Sequence, residues 1–320
     1  MSQTQTSSQP PIEVIPLDLN RDLSSITQIW TATLPQYPIS ADNLRNLLPK
    51  PDAHHLIARI DTKTVGFCLS YAAGYLAVLA VHPTNQHEGV GSALLTETKA
   101  WFKANRIRLE IGSGFPRFWP GVPTDLPPGT LDFFTRRGFR MRSCPPRSVD
   151  LYRDIRAFSL EEGEYGQQAE RAGYTFAPLL PEGYEECLVG QERNFADNGD
   201  WVAMYRKLNP AEHPSSVMTA FDSSGVQVGW TLMLSPSSNI LQSNWAMPTV
   251  CGPNTGLVGC VGIDTEHRKS GVGIALVAHA LEDMKKRGIE GVFVDWVSLE
   301  GFYERVGFEV WRSYRTGEIS

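Results

Sequence analysis

One short pattern occurs twice in this chain, and it constrains the fold more than any other feature of the sequence. In each copy an apolar run is followed by Gln or Arg, two residues, a glycine, one residue and a second glycine, after which an amphipathic helix begins. The copies span residues 86–91 (QHEGVG) and 268–273 (RKSGVG). Each is followed by another strand pattern and by an aromatic segment that ends in Gly-Phe, at residues 133–139 and 302–308. Because two degenerate motifs rarely recur in the same order by chance, we interpret the chain as a tandem repeat of one domain.

The second copy of this loop has the features of a phosphate site. Its glycines let backbone N–H groups approach a ligand, and a helix predicted over Ile274–Arg287 directs its dipole at the same place. Arg268 and Lys269 add positive charge, and a guanidinium can hold a phosphate through two hydrogen bonds. The loop lacks the Gly-Lys-Ser/Thr of a P-loop and the three glycines of a dinucleotide fingerprint. On the motif alone, a tight turn without a ligand is the alternative.

The order of strand, loop, helix and strand resembles the core of the GNAT superfamily of N-acetyltransferases. The resemblance implies an α+β fold with two tandem GNAT domains, each a mixed, mostly antiparallel, twisted sheet flanked by helices. It also implies that acetyl-CoA is the co-substrate, with no metal, and that its pyrophosphate binds at the loop after strand Gly256–Asp264. The cofactor-binding residues that it implies are Val261, Gly262, Ile263, Arg268, Lys269, Ser270, Gly271, Val272, Gly273 and Ile274.

The repeat suggests the domain boundaries. Residues 1–11 are polar and are predicted to be a disordered tail, followed by an N-terminal GNAT domain over 12–158. Residues 159–172 read as a polar linker or an exposed helix, and 173–320 as a C-terminal GNAT domain. We expect the strand within Val149–Phe158 to complete the first sheet.

Composition limits the classes of function. With 42% hydrophobic and 20% charged residues in a chain of 320, the balance is that of a globular protein. A net charge of −6 argues against nucleic acid as the main partner, because phosphate contacts need clustered Lys and Arg. No apolar run approaches the roughly 20 residues of a membrane span, and the N-terminus lacks the apolar core of a signal peptide. Five cysteines without C-x-x-C spacing, among them Cys68 and Cys260 in apolar strands, predict reduced, buried thiols and a cytoplasmic location.

The chemistry that the GNAT resemblance implies is direct attack of a neutral amine on the thioester. This attack needs an N–H group for the developing oxyanion, a base for the amine proton and an acid for the departing thiolate. In the family the N–H group comes from the strand before the loop, here Val261–Ile263. The acid is the Tyr of the F-Y-x-x-x-G-F segment, here Tyr303, and an ordinary pKa of about 10 keeps a phenol protonated at neutral pH. Packing in the core is the alternative role for Tyr303.

Asp295 is the candidate base. It ends an apolar strand close to the expected position of the thioester, and poor solvation makes a carboxylate a better proton acceptor. The same carboxylate could instead bind the incoming ammonium or cap the helix that follows. The sequence leaves these roles open.

The first copy lacks part of this chemistry. Phe134 stands at the position of Tyr303, and a phenyl ring has no proton to donate. Its loop is also less cationic, with Gln-His-Glu at residues 86–88 in place of Arg-Lys-Ser at 268–270. We therefore predict that the second copy is catalytic and the first is degenerate, and leave open whether the first still binds CoA.

Two features point to an amino sugar as the acceptor. Residues 115–123 (FPRFWPGVP) are inserted in the first copy only, and this pattern, with the paired Asp295 and Trp296, resembles the two-domain glucosaminide N-acetyltransferases. Those enzymes acetylate the free 2-amine of glucosamine or of chitosan-type sugars. The resemblance implies Trp119, Trp296 and Asp295 as substrate-binding residues, although each Trp can equally belong to a core. The amine is expected to enter from the face covered by this insert and by a long irregular loop at 235–254.

Three other functions remain open at this point. Mycothiol synthases are also tandem GNAT proteins, and they acetylate the amine of a cysteinyl-glucosaminyl-inositol. A protein acetyltransferase, acting on histones or N-termini, would also suit the acidic charge. A non-catalytic sensor of acyl-CoA or amino sugars is the alternative from another class. No oligomer is required, and a monomer whose two repeats form an internal pseudo-dimer is favoured.

Overall fold

The computed structural model describes residues 11–112, 114–142, 148–197 and 199–319, so the tail predicted at residues 1–11 lies outside the described residues except for Pro11. The elements up to residue 154 are, in chain order, β1 Ile12–Pro16, α1 Leu19–Thr33, α2 Ala41–Leu47, β2 Ala53–Ile60, β3 Lys63–Tyr71, β4 Tyr75–Val81, α3 Val90–Ala104, β5 Glu110–Ile111, β6 Val122–Pro123, α4 Gly129–Thr135, β7 Phe139–Met141 and β8 Val149–Asp154. Those that follow are α5 Gln167–Arg171, β9 Thr175–Pro178, α6 Tyr184–Phe195, α7 Gly199–Arg206, α8 His213–Ser216, β10 Val217–Phe221, β11 Gln227–Leu234, α9 Asn239–Asn244, β12 Thr255–Ile263, α10 Val272–Lys286, β13 Gly291–Val297, β14 Glu309–Arg315 and β15 Gly317–Ile319.

These elements form two compact units, each with its own sheet and hydrophobic core, as the tandem α+β fold requires. The first unit consists of the chain up to Val122, of Leu126–Arg142 and of the segment from Arg315 onward. The second consists of Pro123–Asp125 and of the chain between Arg142 and Arg315.

The first unit is built on a sheet with the strand order β1-β2-β3-β4-β5-β15-β7. Neighbours from β1 to β4 are antiparallel, whereas β4 and β5 are parallel. That parallel pairing covers only Tyr75–Leu76 against Glu110–Ile111. α3 packs its buried face on β2, β3 and β4. Beyond Leu76, β4 and β5 no longer pair, which leaves a gap in the sheet.

The second unit repeats this plan in a sheet with the order β6-β14-β8-β13-β12-β11-β10-β9. β12 and β13 are parallel, and they pair only over Thr255–Leu257 against Gly291–Phe293. α10 buries one face against β10, β11 and β12, and it starts directly after the glycine loop. The gap that opens beyond Leu257 is the place where the resemblance puts acetyl-CoA.

The prediction that strand Val149–Phe158 completes the first sheet is wrong. β8 lies in the second sheet between β13 and β14, and β15 lies in the first sheet between β5 and β7. Val149 and Leu151 are buried in the second core, whereas Ile319 packs against the first. Either strand has the apolar residues to fill either place, so the local pattern did not reveal the exchange. The two compact units therefore do not coincide with the two segments on either side of the predicted 159–172 linker.

The cysteines and the 235–254 segment differ in part from expectation. The four cysteines within the described residues form no disulfide bond with one another, and Cys144 lies outside those residues. Burial raises the pKa of the Cys68 thiol to about 12, whereas Cys260 is partly exposed and not buried as expected. Residues 235–254 contain α9 and the buried side chain of Trp245, so this segment is more ordered than predicted. Within the described part of the chain, no helix has the length and apolar character to cross a membrane.

Candidate active site

The two glycine loops have the same backbone conformation. Lys269 and Gly271 have φ of 68° and 89°, and His87 and Gly89 have 66° and 92° in the first copy. Left-handed residues of this kind turn successive N–H groups toward one side, which creates an anion-binding concavity. Gly271 is also the N-cap of α10, and no side chain caps the first turn of that helix. The N–H groups needed for a pyrophosphate are therefore provided by the backbone of both repeats.

The last glycine of each loop is required by packing. A Cβ atom at Gly273 would lie 3.2 Å from the ring of Phe302, and one at Gly91 would lie 3.3 Å from the ring of Phe133. These distances are shorter than ordinary contacts, so any side chain there would displace the aromatic ring. The repeated glycine and the repeated phenylalanine thus form one contact between the start of the helix and the aromatic segment.

Arg268 has the same structural role as Gln86. Its Nε donates to the carbonyl oxygen of Ile263 at 3.0 Å, and Nε2 of Gln86 donates to the carbonyl oxygen of Val81 at 3.1 Å. Each side chain ties the loop to the end of the preceding strand. Unlike Gln86, Arg268 also carries a positive charge, and its side chain is exposed beside the loop together with that of Lys269.

β12 carries a bulge just before the loop. Its register with β11 shifts between Gly259 and Gly262, and Cys260, within this step, has φ of 49°. The hydroxyl of Tyr205 donates to the carbonyl oxygen of Cys260 at 3.1 Å, and that of Thr231 donates to the carbonyl oxygen of Gly259 at 3.1 Å. Two side chains thus hold the carbonyl groups of the bulge in place. The N–H groups of the predicted oxyanion segment follow directly after them.

The first copy has a different backbone at the corresponding place. Val78, which the repeat aligns with Cys260, pairs in register with Leu69 on β3. The irregularity in β4 lies one residue earlier, at Ala77, opposite the step from Leu69 to Ser70. The two copies therefore differ in where this strand departs from regular pairing.

Tyr303 begins a 3-10 turn and packs edge-on against Phe302 and Phe308, with ring centroids 4.9 Å and 5.9 Å away. Burial raises the pKa of Tyr303 above its ordinary value, and the charge of Asp295 and the thiol of Cys260 raise it further. The Tyr303 ring thus packs among aromatic side chains, while the charge of the candidate base acts on its hydroxyl.

Asp295 and Trp296 form a bulge in β13. The register of β13 with β8 shifts between Val294 and Val297, and Trp296 has φ of 47°. Asp295 is partly buried, whereas Trp296 is 37% exposed. The bulge thus brings a partly buried carboxylate and an exposed indole to neighbouring positions beyond the paired part of β12 and β13.

Trp119, the other predicted substrate platform, lies in the first unit. Its ring stacks on Trp30 at 5.6 Å between centroids and meets Tyr37 edge-on at 5.2 Å. The residue is only 7% exposed, so its ring is part of an aromatic core. This burial does not suit a sugar-stacking role. The structure therefore gathers Tyr303, Asp295 and Trp296 in one unit and places Trp119 in the other.

Asp150 contacts the bulge that contains Asp295 and Trp296, and the sequence did not reveal this contact. It lies on β8, is 1% exposed, and accepts hydrogen bonds from the N–H group of Trp296 at 2.8 Å and from the hydroxyl of Tyr314 at 2.5 Å. These partners are 146 and 164 residues away along the chain. No local pattern connects them, because the contact exists only after β8 has joined the second sheet.

The first copy keeps the shape of a ligand groove. A cavity of about 340 Å³ lies beside its glycine loop and is lined by Gln86, Gly91 and Phe134, among others. The carbonyl oxygen of Val81 at its edge already accepts hydrogen bonds from Gln86 and from the hydroxyl of Thr33, at 3.1 Å and 3.2 Å. The groove thus has no phenol at its catalytic position, and part of its edge is occupied by the protein itself. Within the described residues, no cluster of three or more His, Cys, Asp or Glu side chains could hold a metal ion.

Comparison with known families agrees with the repeat. Residues 51–141 match the model of the acetyltransferase (GNAT) domain, and residues 180–308 match that of the acetyltransferase (GNAT) family. The chain belongs to the GNAT acetyltransferases. It carries two GNAT domains in tandem, which confirms the predicted fold and repeat. Enzymes of this family use acetyl-CoA as acetyl donor.

Several known proteins resemble the whole tandem. The GCN5-related glucosamine N-acetyltransferase region of a fungal multi-domain GH3 β-N-acetylglucosaminidase superposes with a TM-score of 0.88 at 26% identity, covering 98% of this chain and 38% of that longer one. Mycothiol acetyltransferase of Salinispora arenicola (strain CNS-205) is 26% identical over 291 residues, 83% of this chain and 81% of its own. A tandem GNAT protein from the clavulanic acid biosynthesis pathway, 17% identical with a TM-score of 0.64, shares the fold. Its coverage is 96% of this chain and 98% of its own.

Proposed function

We propose that this GNAT protein acetylates the free 2-amine of glucosamine or of a glucosaminide, with acetyl-CoA as donor. The observation that carries the proposal is the bulge at Asp295 and Trp296, which sets a carboxylate next to an exposed indole. The charge of that carboxylate also raises the pKa of Tyr303. An amino sugar needs this pair, because its ring face stacks on an aromatic side chain while its amine meets a carboxylate. The likeness to the fungal glucosamine N-acetyltransferase region supports the same acceptor. A monomeric state and a cytoplasmic location are further parts of the proposal.

Each group of the second copy then has one task. The N–H groups of residues 269–274 hold the pyrophosphate, and the Val261–Ile263 segment supplies an N–H group to the thioester oxygen as it becomes negative. Asp295 orients the amine and receives its proton, so that the nitrogen attacks with a free electron pair. As the carbon–sulfur bond breaks, Tyr303 gives a proton to the CoA thiolate. The new amide and free CoA are the products.

A second acceptor is favoured by a separate observation. The relative from Salinispora arenicola is a mycothiol acetyltransferase and aligns with most of both chains. If this resemblance extends to the acceptor, the amine would belong to a cysteinyl-glucosaminyl-inositol and would lie farther from the sugar ring. The two acceptors differ in the position of the amine, so they can be separated by assay.

The test is the release of free CoA from acetyl-CoA by the purified protein. Glucosamine, chitobiose-type oligomers, a cysteinyl-glucosaminide and a Lys-rich peptide are compared at equal concentration. Release with glucosamine or its oligomers supports the proposal, and their order gives the preferred chain length. Release only with the cysteinyl compound, or only with the peptide, would identify that compound as the acceptor and contradict the proposed one. Binding of acetyl-CoA without release in any mixture favours a sensor.

Replacing Tyr303 by Phe is expected to lower kcat at least about tenfold, because the departing thiolate loses its proton donor. The affinity for acetyl-CoA should remain nearly unchanged, since the ring and its packing are retained. Steady-state kinetics and acetyl-CoA titration measure the two quantities. Phe134→Tyr in the first copy serves as the matched control and should not restore the lost rate. Wild-type turnover in Tyr303→Phe would remove the phenol from the mechanism.

The pH dependence of kcat follows from the same residue. A raised pKa keeps the Tyr303 phenol protonated to higher pH than an ordinary phenol, whose pKa is about 10. We therefore expect kcat at saturating substrate to stay level between about pH 8 and 10 and to fall only at higher pH. A decline that begins below about pH 9 in the wild type and is absent in Tyr303→Phe would contradict the raised pKa.

A further inference from the structure

We infer that Asp150, on the last strand of the first repeat, is a positioning residue for the catalytic carboxylate of the second repeat. This inference rests on the proposed function, because it assigns Asp150 a part in the reaction carried out at Asp295. The juxtaposition that carries it is the contact between a buried carboxylate on β8 and the bulge in β13.

The sheet is irregular on both sides of Asp150. On one side the register of β13 shifts between Val294 and Val297, so that Asp295 and Trp296 together oppose this one residue. On the other side β14 shifts between Val310 and Arg312, and Arg312 becomes the Cα partner of Asp150. Bulges re-aim side chains and are often found beside active sites. Here two of them flank a single buried aspartate.

The carboxylate stabilises the backbone conformation of the bulge in β13. Trp296 has φ of 47°, a left-handed conformation that is strained for a non-glycine residue. Its N–H group, turned out of the strand ladder, donates to Oδ1 of Asp150 at 2.8 Å. This hydrogen bond, made to a buried carboxyl oxygen, offsets that strain. Because Asp295 directly precedes Trp296, this bond also fixes the direction of the Asp295 side chain.

Tyr314 holds the other oxygen of Asp150. Its hydroxyl, on a side chain that is 2% exposed, donates to Oδ2 at 2.5 Å. The two oxygens of Asp150 thus meet two donors from different strands, which fixes the plane of the carboxylate. An acceptor sugar would meet Trp296 and Asp295 at the exposed edge, while Asp150 lies behind them at 1% exposure. Asp150 therefore acts through the bulge and not by touching the substrate.

The test compares Asp150→Asn with Asp150→Ala. Asparagine keeps an oxygen for the Trp296 N–H group and a nitrogen that can donate to the Tyr314 oxygen, so it should retain at least about a third of kcat. Alanine removes both contacts and should lower kcat at least about tenfold, since small misplacement of a reacting group is costly. The KM for the acceptor should change less than about threefold in both. A residue that binds the ammonium by charge would instead show a large rise in KM in both variants, and that result would overturn the inference.

A thermodynamic cycle with Asp295→Asn separates positioning from a general loss of structure. If Asp150 works through Asp295, then Asp150→Ala should add little to the kcat already lost in Asp295→Asn. If the kcat losses of the two single variants multiply in the double variant, the inference is contradicted. If Asp150→Ala does not fold, Tyr314→Phe replaces it in the cycle and should lower kcat about threefold or more, again only where Asp295 is intact.

A structural readout keeps the inference independent of turnover. Crystal structures should show Trp296 with positive φ in Asp150→Asn and with an ordinary strand backbone in Asp150→Ala. If Asp150→Ala does not fold, the structure of Tyr314→Phe should show a shifted Asp295 side chain. An unchanged bulge in the variant that lacks the contact would refute the role of Asp150, whatever the acceptor. A wild-type protein that is inactive on every amine while its bulge responds as expected would refute the proposed function alone.

Discussion

A chain spanning residues 159–315 is expected not to fold, whereas one spanning 148–315 is expected to fold cooperatively. The two differ only by β8 and the turn after it, which insert between β13 and β14. Deleting that segment removes four buried apolar side chains, those of Val149, Leu151, Ile155 and Phe158. At about 1.5–3 kcal/mol each, their burial amounts to about 6–12 kcal/mol, which is comparable to the whole stability of a domain.

Circular dichroism and thermal unfolding of the two chains measure this difference. The shorter chain would also expose the edges of β13 and β14, which are unpaired without β8, so it is expected to aggregate. The boundary that the sequence suggested at residue 158 predicts the opposite result, an independent C-terminal domain. Equal, cooperative melting of both chains would show that β8 is dispensable for the second core.

Replacing Gly273 by Val is expected to reduce the affinity for acetyl-CoA by at least about a hundredfold, or about 2.7 kcal/mol. The first side-chain atom would already lie 3.2 Å from the ring of Phe302, so the two valine methyl groups must displace either that ring or the loop. The ring belongs to the segment that carries Tyr303, and the loop carries the N–H groups for the pyrophosphate. Calorimetric titration with acetyl-CoA and CoA-release kinetics measure the loss.

The tandem repeat supplies a matched control for this substitution. Gly91→Val introduces the same crowding against Phe133 at 3.3 Å in the first copy. Its effect on folding stability should be similar, but turnover should remain within about threefold of the wild type. Equal loss of activity in the two variants, or loss in Gly91→Val alone, would show that catalysis has been assigned to the wrong copy.

Much of the fold could be predicted from the sequence, because local patterns determine it. β12 lies within one residue of the bounds predicted for strand Gly256–Asp264, and α10 begins within two residues of its predicted start. The loops were found because glycine is needed where φ is positive, as at Gly89 and Gly271. Tyr303 and Asp295 were proposed from their order after the second loop together with the family resemblance, and their roles stay predictions.

What escaped prediction depends on contacts between distant segments. The exchange of β8 and β15 is invisible locally, since the apolar pattern of a strand specifies a buried face but not its neighbours. Asp150 gains its partners only through that exchange. Trp119 illustrates a different limit. The sequence around an aromatic residue in an unusual motif looks the same whether the residue binds a sugar or packs in a core. The charge of Arg268 was noticed, whereas its bond to the strand, shared with Gln86, needed the structure.

The exchange of strands also sets the order of events during synthesis. Domains usually fold one after another as the ribosome delivers them, the N-terminal one first. Here the first sheet lacks β15 until Ile319 has been made, after the whole of the second unit has been translated. Until then the nascent first unit exposes the edges of β5 and β7 that β15 will pair with. During this period chaperones could bind these exposed edges. The second sheet has all its strands once β14 ends at Arg315, and the first only once β15 ends at Ile319. A ribosome that stalls before β14 would therefore leave both sheets unfinished.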